Sequence, residues 1–161
     1  MKKIFQLLFS VSIFGFGFSQ GLKPIAQKVA AQKSAKKTFA RYSPFTKDVA
    51  SKNAAVYKNE ADGVTVMQLK STELQKIVDE KPETMELSFP FENGEMTVEL
   101  VKNNILTTDF QVETDKGTKA YTPGVYYQGI IKGDNTSVVA FSFFDNDIVG
   151  VASTNEFGNV V

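Results

Sequence analysis

From residue 85 onward the apolar side chains recur at every second position, and turn-forming residues break the alternation at short intervals. A chain written this way cannot bury its apolar residues as a helix, and it predicts antiparallel strands joined by tight turns. "MELSFPF" reads as a strand and "ENG" as a turn. "EMTVELV" follows as a strand with Met96, Val98 and Leu100 on one face. After "KNN", "ILTTDFQVET" reads as a third strand and "DKG" as another turn. "YTPG" sets Pro123 and Gly124 at the centre of a type II turn. Residues 125–131 form the next strand, in which Gly129 marks a bulge or a close backbone approach. "SVVAFSFF" is apolar at both parities, as in a central strand covered on both faces. "IVGVAS" and "NVV" continue the meander around the turns "DND" and "TNEFG".

Upstream the pattern changes. Lys2 and Lys3 precede an apolar run over residues 4–18, and Gly17 and Ser19 are the small residues of a cleavage site between Ser19 and Gln20. Fifteen residues at helical rise reach about 22 Å, short of the ~30 Å hydrocarbon core. A cleaved signal peptide is therefore expected, with no stable membrane span and an exported product that is periplasmic, surface-bound or secreted. The chain has no Cys, so neither a lipid anchor nor a disulfide is available to it.

The overall formal charge is zero, but it is divided unevenly. Residues 21–58 hold nine Lys or Arg against Asp48 alone, whereas residues 59–161 hold seven Lys against 17 acidic residues. Leu22, Ile25 and Val29 give a weak helical stripe that dissolves into "AAQKSAKK", predicting a basic arm, flexible or partly helical, ended near Pro44. Export and sparse aromatic interleaving argue against a nucleic-acid partner. Residues 64–69 alternate as a short strand. "TELQ" reads as a capping box with Thr72 as N-cap and Gln75 as its partner, opening a short helix ended by Pro82. The expected organisation is a signal peptide over 1–19, a basic arm over 20–58, and a β-rich, sandwich-like antiparallel domain with one short helix over 59–161. The last strand is left as an open edge, so the chain is expected to continue past Val161.

The chemistry of catalysis is sparse. The chain has no His and no Cys, which removes the commonest general base, the thiol nucleophile and the usual zinc ligands. Ser34 and Lys37 have serine–lysine spacing but lack the partner motifs in the right order, and predict solvated side chains. Asp145, Asp147, Gly150 and Glu156 have calcium-loop spacing, yet Val149 stands where an oxygen ligand is needed and the flanks are strands. Glu86, Glu92, Glu95 and Glu99 are the carboxylates available to a glycosidase, and are expected on solvated strand faces and turn edges. No cofactor is expected in this segment.

Residues 64–161 resemble the pro-region of secreted zinc metalloproteases of the reprolysin (adamalysin, ADAM-like) family, in a bacterial, Bacteroidetes-like branch. The likeness is carried by Tyr126, Tyr127, Gln128 and Gly129, then Gly133 and Asp134, then Ser137, Val138, Val139, Ala140 and Ser142, then Ile148 and Gly150. Lys102, Asn103 and Leu106, with Leu69, Leu74 and Pro90 further upstream, extend it. The resemblance implies a non-catalytic β-rich prodomain that assists folding of a following protease domain and keeps it latent. Its partner would be that domain, and zinc would belong there. Animal members cap the zinc with a prodomain cysteine, which this chain lacks. Two other readings of the residues are a free-standing secreted β-sandwich module that binds protein or glycan, and a small carboxylate hydrolase.

Overall fold

The computed structural model describes residues 21–48 and 64–154, and the backbone of 158–160. The signal-cleavage residues Ser19 and Gln20, Glu156 and Val161 lie outside the described residues. The fold is mainly β, with mostly antiparallel strands, as the alternation predicts. Its elements are α1 (Pro24–Ser34), β1 (Ala40–Tyr42), β2 (Phe45–Lys47), β3 (Met67–Leu69), α2 (Ser71–Glu80), β4 (Thr84–Phe91), β5 (Gly94–Lys102), β6 (Val112–Thr114), β7 (Gly117–Lys119), β8 (Val125–Ile131), β9 (Asp134–Phe143), β10 (Ile148–Thr154) and β11 (Gly158–Val160). One seven-stranded sheet runs β1-β4-β5-β8-β9-β10-β11, and β2–β3 and β6–β7 are separate two-stranded pairs. Among the described residues, no helix is long and apolar enough to cross a membrane.

Side chains of alternate parity leave a sheet on opposite faces. On the inner face Met85, Leu87, Val98, Leu100, Val125, Tyr127, Val139, Phe141 and Phe143 form one core with Leu74 and Ile77 of α2. Phe45, Met67 and Leu69 of the β2–β3 pair close it from the side. Leu74 and Ile77 are fully buried, each stabilising the packing by about 1.5–3 kcal/mol. On the outer face α1 covers part of the sheet, with Ala26 and Val29 buried against Val101 and Ile130.

Several local expectations are corrected. The basic arm is helical over Pro24–Ser34, in keeping with the partly helical expectation, but it also supplies an unexpected strand, β1, which pairs in parallel with β4 at Ala40↔Met85 and Tyr42↔Leu87. Alanines pack closely on the sheet, so α1 needs no broad apolar stripe. The capping box of Thr72 and Gln75 does not form. The helix starts at Ser71 with Lys70 extended before it and no side-chain cap, and Gln75 Nε2 donates to Asp79 Oδ1 at 3.0 Å instead. Of "ILTTDFQVET" only Val112–Thr114 is strand. Gly124 does not take the positive φ of a type II turn. The residues of "SVVAFSFF" are covered on one face only: Ser137, Val139, Phe141 and Phe143 are buried, while Val138 and Ala140 face solvent.

Two core tyrosines make the fold sensitive to alkali. Tyr127 Oη donates to the Pro82 carbonyl at 2.8 Å, and Tyr42 Oη donates to Glu80 Oε2 at 2.6 Å. Burial, reinforced by the bond to the Glu80 carboxylate, pushes the Tyr42 phenol up to about 12. Burial pushes Tyr127 up as well, helped by Tyr42 and Glu83. In the unfolded chain both phenols ionise near pH 10. Above that pH the folded state holds more protons than the unfolded state, so stability falls as pH rises. The contribution is complete below about pH 10 and is lost as pH climbs through the raised values. Urea midpoints measured from pH 8 to 12 are expected to hold level and then drop, with a shallower drop for Tyr127→Phe.

Candidate functional site

The carboxylates singled out as glycosidase candidates divide. Glu99 is 2% exposed, not solvated. It lies directly across the β4–β5 ladder from Glu86, a juxtaposition of like charges that is unfavourable unless neutralised. Lys33 Nζ, from the last turn of α1, approaches both Glu99 carboxylate oxygens at 2.6 Å. Lys132 Nζ, from the β8–β9 turn, meets Glu86 Oε1 at 2.6 Å. Both carboxylates are therefore matched by lysines that tie α1 and the hairpin to the sheet. Among the described residues no His, Cys, Asp or Glu cluster is arranged to hold a metal ion. Asp145 and Asp147 sit in the β9–β10 turn, where the Asp147 carboxylate accepts from the Ile148 N–H at 2.8 Å.

The residues of the family-like motif are mostly framework. Tyr127 and Val139 are buried in the core. A Cβ on Gly129 would lie 1.8 Å from the Glu99 carbonyl oxygen, and the β8–β9 register shifts between Gly129 and Ile131, so both features expected of this glycine are present. Gly133 turns the β8–β9 hairpin at φ 90°. The Asp134 carboxylate accepts from Thr136 Oγ1 at 2.6 Å and from Thr136 N at 2.8 Å, and these bonds hold its carboxyl below the usual range. Ser137 is buried, with Oγ donating to the Asp134 carbonyl at 2.6 Å and accepting from the Ile131 N–H at 2.8 Å. Gly150 lies under the Phe141 ring, which a Cβ there would meet at 2.3 Å.

Of the remaining motif residues, Ile148 packs against the core, and Tyr126, Gln128, Val138, Ala140 and Ser142 face outward. Tyr126 and Gln128 share the outer face with Ala140, Ser142, Val149 and Val151. The register sets Tyr126, Ser142 and Val149 in one row and Gln128, Ala140 and Val151 in the next. Val149 is 57% exposed, and Val138 and Val151 are exposed as well. This strip lies on the β8–β9–β10 side of the sheet.

At the Tyr126 end the strip runs into a hollow of about 610 Å³, a volume typical of ligand sites. It lies between residues 104–112 and residues 118–126. The Phe110 ring stands edge-on to Tyr121 at 5.5 Å, and Tyr126 stands edge-on to Phe144 at 6.3 Å. The hydroxyls of Tyr121 and Tyr126 are 3.0 Å apart, and this hydrogen bond raises the Tyr121 pKa. Phe110 and Tyr121 are 46% and 43% exposed, far more than a packed core requires. Local chemistry holds the frame open. The Thr114 hydroxyl donates to the Gly117 carbonyl and accepts from the Lys116 N–H, closing the β6–β7 turn. Gly124 lets the chain pass the Phe143 carbonyl, which a Cβ would meet at 2.7 Å.

Of the sequence-predicted motif residues, Leu106 and Tyr126 line the hollow. Ile105, Phe110 and Tyr121 were hidden inside segments read as strand and turn. The available signal was the aromatic residues Phe110 and Tyr121 in stretches made mostly of polar residues. Comparison of the chain with protein families, with curated proteins and with solved structures found no match.

Proposed function

We propose that this chain is the non-catalytic pro-region of a secreted zinc metalloprotease precursor, exported by its N-terminal signal. Its role is to assist folding of a following protease domain and to cover that domain until cleavage. Zinc belongs to the protease and not to this segment. The observation that carries the proposal is the arrangement of the family-like motif. Its inward residues build the sheet, and its outward residues Tyr126, Gln128, Ala140 and Ser142 join Val149 and Val151 in one outward-facing strip of mixed polar and apolar side chains. A face with exposed Val138, Val149 and Val151 beside a ligand-sized hollow suits a protein partner. With no cysteine to cap zinc, latency would come from steric cover by this strip.

The hollow favours a second reading, a free-standing secreted module that binds protein or glycan. The two separate experimentally. The reading frame beyond codon 161 is expected to stay open and to encode a zinc-binding HExxH helix. That protease domain should be inhibited by the purified chain added in trans. Val149→Glu with Val151→Glu should weaken the inhibition about tenfold, which corresponds to ~1.4 kcal/mol. A stop codon directly after Val161 would sink the protease reading and leave the binding module.

A further inference from the structure

We infer that the aromatic hollow is a binding site for an extended peptide that carries an aromatic or proline side chain and one carboxylate. The inference deepens the proposed function by giving the chemistry of the partner's contact, and rests on that reading only in taking the partner to be protein.

Residues 104–111 and 120–124 form two irregular walls, and among the described residues the bond from the Phe110 N–H to the Thr107 carbonyl at 3.2 Å is the backbone–backbone hydrogen bond they contain. β7 beside them pairs with β6 along one edge and has no strand on its other edge among the described residues. Apart from the Asp109 N–H, which its own carboxylate engages, these walls carry N–H and C=O groups with no other backbone partner among the described residues, and an extended backbone can match such groups. Phe110 and Tyr121 meet edge-on and expose much of their surface, as do the rings of aromatic-lined grooves that grip extended peptides. In the Tyr121–Tyr126 pair one hydroxyl donates to the other, leaving one O–H free to donate to a peptide carbonyl. Lys119 is the charged residue lining the hollow, and among the described residues no carboxylate lines it, so a single acidic group on the ligand is complemented.

A phage-displayed random decapeptide library panned on the purified chain, with the Phe110→Ala/Tyr121→Ala variant for counter-selection, tests this. The expected result is enrichment of peptides with an aromatic or proline residue and an Asp or Glu. Their affinity, measured by fluorescence anisotropy, should fall at least tenfold in Phe110→Ala or Tyr121→Ala, and severalfold in Lys119→Glu. All three side chains are exposed, so thermal transitions of the variants should match the parent and report that the fold is intact. No enrichment over the counter-selecting variant overturns the inference. So does binding of cellohexaose or chitohexaose in place of peptides, which would make the hollow a glycan site. Peptide binding without an HExxH helix in frame keeps this inference and removes the protease. Trans inhibition of a protease with no peptide enrichment does the reverse.

Discussion

Gly129→Ala is expected to leave no stably folded protein. Gly129 pairs with Leu100 where β8 lies against β5 in the middle of the sheet. A Cβ there would sit 1.8 Å from the Glu99 carbonyl oxygen, 2.8 Å from its carbon and 3.0 Å from the Leu100 Cα. All three atoms are backbone, so no rotamer change relieves the clash and the strands must separate. Separation would open the cores on both faces, because β5 and β8 contribute Leu100 and Tyr127 to one and Val101 and Ile130 to the other. A cost above about 4 kcal/mol is a large part of the stability of a domain this size. Far-UV circular dichroism with urea titration measures it. Gly133→Ala is the control: residue 133 has φ 90° but open space around its Cβ, so backbone strain of about 1–3 kcal/mol is expected with folding retained. If Gly129→Ala unfolds within 1 kcal/mol of the parent, the close approach of β8 to β5 is not what requires glycine.

The same glycine shows which parts of the fold are legible in sequence. Residues 85–102 and 125–154 alternate because one face of each strand is covered more fully, and alternation is a local pattern. Gly129 interrupts it visibly. The position of β1 is not local. It pairs with β4 some 45 residues later in parallel, so nothing within residues 40–42 announces a strand. "SVVAFSFF" shows the limit from another side. Apolar residues at both parities signal two apolar faces, and only assembly decides that Val139 is buried while Val138 is exposed. Tyr126 belonged to the motif by resemblance. Phe110 and Tyr121 join it through the path of an irregular segment, which has no period to read.

Glu99 reads as a solvated carboxylate for a related reason, since its partner Lys33 lies 66 residues upstream. The consequence can be measured. Lys33→Met is expected to destabilise the fold by about 2–4 kcal/mol, because it leaves a buried carboxylate unpaired. The lower half of that range is favoured, since the Lys33 side chain is 49% exposed and water already screens its ammonium. Glu86 adds to the effect. It faces Glu99 across β4 and β5, so loss of Lys33 leaves two opposed carboxylates with Lys132 alone, bound to Glu86. Removing both partners is a different matter. Lys33→Met with Glu99→Leu replaces the pair by apolar groups beside Ala26, Val29, Val101 and Ile130, and such replacements are often neutral or stabilising. A double-mutant cycle in urea should therefore give a coupling energy above about 1 kcal/mol, with the double variant near the parent. Coupling near zero would mean that the apolar contacts of Ala26 and Val29 hold α1 on the sheet by themselves, and that the Lys33–Glu99 pair does not fix it there.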